Sequence, residues 1–251
     1  MAFDLDHVAL AAPDISEALD LFAGTLGGTI TSGGQTVGFR PVQVWIGDST
    51  GEGMTVELIE PWDVEHNDFL ARFLAAKGAG PHHLTFKVPD LVAALDRVRE
   101  AGYTPVQVDL SEPEWREAFL MPREAHGTVV QLAQPGEIFA DRAAMLARIA
   151  SNGPRQHPRW WHKPAVNGAP PSYLRRVVLA TASLPSGLGF FGALLGGHEG
   201  ASGDGWVELA WPGGARLRLE ERHDRPPGID RLEIDGVDAE ITVAGTRLAT
   251  A

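Results

Sequence analysis

The sequence predicts an α+β protein of paired βαβββ modules, with a second, degenerate and truncated pair at its C-terminal end. Three observations predict it. The segment DHVALAAPDISEAL from residue 6 returns as HHLTFKVPDLVAAL from residue 82, and later stretches repeat its outline. Each copy opens on a short apolar run, breaks at Pro-Asp or an equivalent, and continues with Ala and Leu at helical spacing up to a glycine. In the first two copies, short runs bounded by Gly, Pro and Ser/Asp clusters then follow, the signature of strands.

In chain order, His7 and His83 are each followed after five residues by Pro-Asp and then by an Ala-Leu pair at a matching offset. Asp14 and Asp90 stand where helix N-caps belong, because a short side-chain acceptor satisfies the open amides of a first turn. Gly27, Gly28 and Gly102 would end those helices. Strands are expected near 36–46 and 54–60 after the first helix, and near 104–109, 117–121 and 128–133 after the second. Residues 137–150, EIFADRAAMLARIA, read as an amphipathic helix and precede a segment rich in Pro, Gly and aromatics. The third copy, 175–197, carries Arg176 at the histidine position. The fourth, opening at 230–238, carries Arg231 there and has room only for a strand or two. The expected domains are therefore 1–135, a helix and Pro/Trp-rich linker over 136–172, and a degenerate pair over 173–251.

Composition narrows the function classes. The 251 residues are 44% hydrophobic, enough for one large core or two modest ones. The formal net charge of -12 disfavours nucleic acid and anionic lipid as partners. Residues 1–135 hold 8 basic against 20 acidic residues, so the acidity belongs to the first two copies. With no cysteine, there is neither a disulfide framework nor a thiolate site, and a metal would need His, carboxylate or amide ligands. No apolar run reaches about 18 residues and no basic-then-apolar leader opens the chain, which predicts a cytoplasmic protein without a membrane span.

Strand alternation then selects candidate ligands. In HHLTFKV, Leu84, Phe86 and Val88 share the face that covers a helix, whereas His83, Thr85 and Lys87 share the other. The same parity turns Glu57 away from Val56 and Leu58, and Gln131 away from Val130 and Leu132. If the strands curl into a trough with helices outside, His7, Glu57, His83 and Gln131 can converge.

These stretches, DHVALAAPDISEALDLF, TVELIEP, GPHHLTFKVPDLVAAL and AFLMPREAHGTVVQL, resemble the vicinal oxygen chelate superfamily, with methylmalonyl-CoA epimerases and glyoxalase I-like proteins nearest in appearance. The resemblance covers residues 6–135 well and 173–251 weakly. It implies the glyoxalase/bleomycin resistance/extradiol dioxygenase fold and one divalent metal on His7, Glu57, His83 and Gln131. Two imidazoles with oxygen donors suit Co, Mn, Ni or Fe, with Zn and Mg as further candidates. It also implies an isomerase or lyase that polarises a small carbonyl or thioester, with Glu57 and Gln131 as the catalytic residues. Gln131 departs from the family's last-strand Glu, and GFRPVQVWI offers Phe39 and Arg40 where epimerases carry a further Glu. Two alternatives stay open: a non-haem Fe(II) dioxygenase built on His7, His83 and Glu57, and a non-catalytic binding protein of the bleomycin-resistance type.

Around this set, Phe39, Arg40, Trp45, Phe119, Met121 and Arg123 are candidate substrate-pocket residues, although aromatic and Met side chains on strands are more often plain core and arginines more often solvated surface. His82 points away by parity, Glu60 faces elsewhere or caps a turn, and His126 lies on a loop. Trp160 and Trp161 need cover, by domain packing first or as a substrate lid. Arg176 and Arg231 do not bind metal, so the second half is read as structural or as an interface. The expected partner is a small molecule, and the expected state a monomer or homodimer.

Overall fold

The computed structural model describes residues 3–155 and 171–251. Trp160 and Trp161 lie outside the described residues. Strands β1 (Asp4–Ala11), β2 (Thr29–Gly33), β3 (Gly38–Gly47), β4 (Gly53–Trp62), β5 (Gly80–Lys87), β6 (Val106–Asp109), β7 (Trp115–Leu120) and β8 (Val129–Pro135) form one sheet in the order β2-β3-β4-β1-β5-β8-β7-β6. A second sheet contains β9 (Tyr173–Thr181), β10 (His198–Gly203), β11 (Trp206–Ala210), β12 (Arg216–Glu221), β13 (Gly228–Asp235), β14 (Ile241–Val243) and β15 (Thr246–Ala249), ordered β10-β11-β12-β9-β13-β15-β14. Both orders follow one rule. The opening strands of two copies are neighbours at the middle, and the remaining strands of each copy run outward, which is the paired-module α+β architecture expected from the repeat. The fourth copy supplies three strands, β13 to β15, where one or two were expected, and no helix among the described residues.

The helices sit where the Pro-Asp breaks placed them. Helix α1 (Ser16–Leu19) continues as a π-helical stretch over Asp20–Thr25; its N-cap is Ile15, without a side-chain capping bond, so Asp14 stands one residue ahead of the expected position and accepts from the Ser16 amide at 2.7 Å. After the inserted helix α2 (Phe69–Lys77), α3 (Leu91–Glu100) starts at Asp90, whose carboxylate accepts from the Ala93 amide. Helix α4 (Arg142–Asn152) starts at Asp141 in the same way, and α5 (Leu184–Gly187) starts at Ser183 and continues as a π-helical stretch over Leu188–Leu194. Gly27 and Gly102 end α1 and α3 with φ of 69° and 89°, a backbone state glycine adopts without steric cost. Sequence patterning missed β2 and α2. No described helix is long and apolar enough to cross a membrane.

Contacts group the chain into two units: Met1–His7, His83–Phe139 and Arg176–Arg231, and Val8–His82, Ala140–Arg175 and Leu232–Ala251. In the first, Phe86 on the helix-facing side of β5 packs against Phe191 and Trp211, with ring centroids 6.5 and 5.4 Å away. Leu84, Leu91, Leu95, Val98, Val130 and Leu132 are buried there too, as the parity argument requires. In the second, Ala11, Ile59 and Leu70 form a buried cluster with Phe39, Phe69, Phe73 and Leu74 packed on it. Removing such apolar area from water stabilises a fold by about 25 cal/mol per Å².

The turn before β8 is anchored within the first unit. His126 and Gly127 have φ of 52° and 83°, and a Cβ on Gly127 would meet the Pro227 carbonyl oxygen at 2.0 Å. His126 Nδ1 lies 2.9 Å from Thr181 Oγ1, and its ring packs on Phe190 and Phe191. Burial holds this imidazole below its ordinary value of 6.5, against a smaller opposing contribution from the Ser186 backbone. The folded protein therefore takes up this proton at lower pH than the unfolded chain, and stability falls as pH drops below 6.5 toward the folded value. His126→Asn, which tolerates the positive φ, is expected to flatten the pH dependence of the urea-unfolding free energy between about pH 7 and pH 5. Equal slopes for the two proteins would refute this.

Candidate metal centre

Strand order places β1 between β4 and β5. On these strands His7, Glu57 and His83 each offer a ligand atom, and the three atoms lie within 4.8 Å of one another. All three side chains are buried, at 1%, 7% and 6% exposure, a depth at which ionisable groups are rare unless held by one another or by an ion. The two imidazole centroids stand 5.8 Å apart at an interplanar angle of 68°. Ligands at about 2.1 Å from a shared ion are roughly 3–4 Å apart, so small side-chain movements would close the set around one cation. Nε2 of both histidines is buried, with no hydrogen-bond partner for that atom among the described residues.

The surrounding contacts orient these groups. Asp6 Oδ2 lies 2.8 Å from His7 Nδ1, and Lys87 Nζ lies 2.9 Å from Asp6 Oδ1. A proton held on Nδ1 by this buried carboxylate leaves Nε2 as the ligating nitrogen, and Lys87 offsets the carboxylate charge. Gln43, opposite Glu57 in the β3–β4 register, donates from Nε2 to Glu57 Oε1 at 3.1 Å. Gln131 on β8 is also buried; its Oε1 accepts from Thr85 Oγ1 at 2.5 Å, and its Nε2 donates to Glu117 Oε2 at 2.7 Å. His82 is on the other face, edge-on to Phe73 at 4.6 Å, and burial pushes its imidazole down to about 4. It therefore stays neutral near pH 7.

The candidate pocket residues occupy varied settings. Arg40 bonds the Glu60 carboxylate and stands 4.6 Å over the Trp62 ring, while Glu60 Oε2 accepts from the Ile15 amide at the start of α1. Glu60 thus serves a helix start. Phe39 packs against Phe69, and Trp45 is fully buried with its Nε1 donating to the Asp48 carbonyl. Phe119 lies opposite Gln131 in the β7–β8 register, half-buried. Met121 is exposed, and so is Arg123, near Glu124. Three polar residues escaped sequence reading, Asp6, Gln43 and Glu117, while Lys87 was placed on the His83 face without its partner Asp6. The Asp-His pair at residues 6–7 was the available signal for Asp6. Gln43 and Glu117 required the strand registers.

A family model described as the Glyoxalase/Bleomycin resistance protein/Dioxygenase superfamily matches residues 6–119. An ethylmalonyl-CoA/methylmalonyl-CoA epimerase of Cereibacter sphaeroides is 30% identical over 136 residues, which cover 52% of this chain and 96% of that protein. A hypothetical protein of Staphylococcus aureus is 13% identical, with a TM-score of 0.63 over 99% of this chain and 100% of that one, a likeness of fold alone. The crystal structure of a methylmalonyl-CoA epimerase from Mycobacterium tuberculosis is 26% identical, with a TM-score of 0.46 over 53% of this chain and 89% of that one.

The Asp6 contact gives a direct test of the centre. Asp6→Ala is expected to weaken Co(II) uptake by about 10- to 100-fold, the usual cost of losing the partner that orients a ligating histidine. The measurement is a cobalt titration of metal-stripped protein followed by visible absorption. Uptake equal to that of the unaltered protein would show that Asp6 orients no ligand.

Proposed function

Because the chain belongs to the glyoxalase/bleomycin resistance/dioxygenase superfamily, we propose that it is a divalent-metal-dependent isomerase acting on a small acyl thioester or related carbonyl compound. The observation that carries this reading is the meeting of His7, Glu57 and His83 ligand atoms within 4.8 Å on three neighbouring strands. Its donor set, two imidazoles and a carboxylate with the Gln131 carboxamide as fourth ligand, fits a first-row divalent ion with open positions. Thioester chemistry is favoured by the epimerase relative, whose name specifies malonyl-CoA derivatives.

When bound, such an ion would polarise a substrate carbonyl and lower the cost of removing the proton beside it. The protein's own groups supply the rest. His7 and His83 hold position as neutral donors. Glu57, the sole carboxylate of the ligand group and positioned by Gln43 through Oε1, takes the proton-accepting role as well. Gln131 contributes a neutral oxygen donor and keeps the net charge of the ligand set at minus one. Arg40, tied to Glu60, does not serve as the base.

Three measurements test this. Metal analysis of untagged protein is expected to find about one divalent ion per chain, and His83→Ala is expected to lose it. Methylmalonyl-CoA incubated in deuterium oxide with the loaded protein is expected to take up deuterium beside the thioester carbonyl, and His83→Ala to abolish the exchange. Failure to retain any of Co, Mn, Ni, Fe, Zn or Mg would overturn the reading in favour of a ligand-sequestering protein. Oxygen consumption with iron, in place of deuterium uptake, would move it to the dioxygenase class, which uses a two-histidine, one-carboxylate set.

A further inference from the structure

We propose that Glu117 is a positioning residue that turns the Gln131 carboxamide oxygen toward β5 and the His83 side of the centre. This rests on the metal-site reading above. The sheet order β5-β8-β7 puts Gln131 between two polar neighbours. On the β5 side stands Thr85, two residues from His83 on the same strand face, with its hydroxyl 2.5 Å from Gln131 Oε1. On the β7 side stands Glu117, with Oε2 2.7 Å from Gln131 Nε2 and held in turn by Trp115 Nε1 at 2.8 Å.

The two neighbours differ in what they permit. A hydroxyl donates or accepts, so Thr85 would satisfy either end of the carboxamide. An ionised carboxylate only accepts. Glu117 therefore selects the orientation: a flipped Gln131 would set its oxygen against a carboxylate oxygen and lose a charge-assisted hydrogen bond. With Nε2 committed to β7, Oε1 is the atom presented toward β5, the strand that carries His83 two residues before Thr85.

The repeat supplies an independent argument. Across their last two strands, both copies carry one carboxamide and one carboxylate fourteen residues apart, joined by a hydrogen bond from the amide. The first copy has Gln43 on β3 and Glu57 on β4; the second has Glu117 on β7 and Gln131 on β8. The strands have exchanged residue types. The pairing geometry differs too: Gln43 is directly opposite Glu57, whereas Glu117 is opposite Ala133 and reaches Gln131 along the diagonal. The second copy thus keeps its carboxylate but moves it one strand outward, where it acts through an amide.

Glu117→Gln tests this with little change of shape, since glutamine offers both a donor and an acceptor and no longer selects one orientation. In metal-free, ¹⁵N-labelled protein, the Gln131 side-chain amide protons are expected to lie near the Trp115 indole, and in Glu117→Gln to lose that single position and exchange faster with solvent. Co(II) affinity is expected to fall about tenfold, with the melting temperature held. Moving the carboxylate back, in Glu117→Gln combined with Gln131→Glu, is expected to recover most of that loss, whereas Thr85→Val costs less than Glu117→Gln.

Unchanged amide contacts and unchanged cobalt affinity in Glu117→Gln would overturn the inference, as would a double variant no better than the single one. If Glu117→Gln melts early, Glu117→Asp, which keeps the charge but withdraws it by one methylene, is read in the same two ways. Altered amide contacts with no cobalt uptake even by the unaltered protein would refute the metal reading and leave Glu117 an orienting role without a metal. Cobalt uptake lost in His83→Ala but untouched in Glu117→Gln would refute this inference alone.

Discussion

The constraint on which the first sheet depends is the burial of two imidazoles and a carboxylate within 4.8 Å of one another. Groups of this kind leave water at a cost of several kcal/mol unless partners replace the lost hydration. Their neighbours are polar. Asp6 meets His7, Gln43 meets Glu57, and Lys87 meets Asp6. Each of these contacts holds a side chain in place and gives a polar atom its partner, and Lys87 also offsets the Asp6 charge. The result is a group of polar side chains held in fixed directions, which is the condition that the proposed metal chemistry requires.

Much of this was legible in the sequence because the chain repeats itself. Matched offsets from His7 and His83 to Pro-Asp and Ala-Leu identified equivalent strands, and period-two alternation then assigned Glu57 and Gln131 to the face away from the helices. The partners were illegible for the same physical reason. Alternation puts Asp6 on the opposite face from His7, yet a short carboxylate reaches the adjacent ring at 2.8 Å. Gln43 and Glu117 meet their partners across strands, and no spacing within one strand reveals a register. Glu117 was doubly hidden, because it reaches Gln131 on a diagonal.

The missed elements have similar explanations. Helix α2 has its cue in Phe69, Leu70, Phe73 and Leu74, which recur at helical spacing. Asp68 at its N-cap makes no capping hydrogen bond and pairs instead with Arg72 at 2.6 Å. That apolar stripe completes the cluster around Ile59 and places Phe69 and Phe73 against His82, which explains why the first histidine of the His82-His83 pair stays neutral while the second faces the centre. Neighbouring histidines on one strand thus experience opposite environments. A one-residue shift of register would exchange them, so the apolar cover from α2 helps to fix which imidazole reaches Glu57.

The second sheet answers the same topological problem with different chemistry. Its strand order parallels the first, and Arg176 and Arg231 stand at the positions of the two histidines. Arg176 pairs with buried Glu208 at 2.6 Å, Arg216 bonds the same carboxylate, and Arg218 lies opposite it in the register. Arg231 grips Glu220 with both terminal nitrogens, at 3.2 and 2.7 Å. A guanidinium carries its positive charge permanently and offers no lone pair, so it can neutralise a carboxylate where a neutral imidazole needs an added cation to do so. Ion pairing inside the chain therefore neutralises Glu208 and Glu220 at the place where the first sheet carries its two imidazoles. Between the two sheets, the change from histidine to arginine exchanges two imidazoles beside one carboxylate for guanidinium groups ion-paired to carboxylates within the chain.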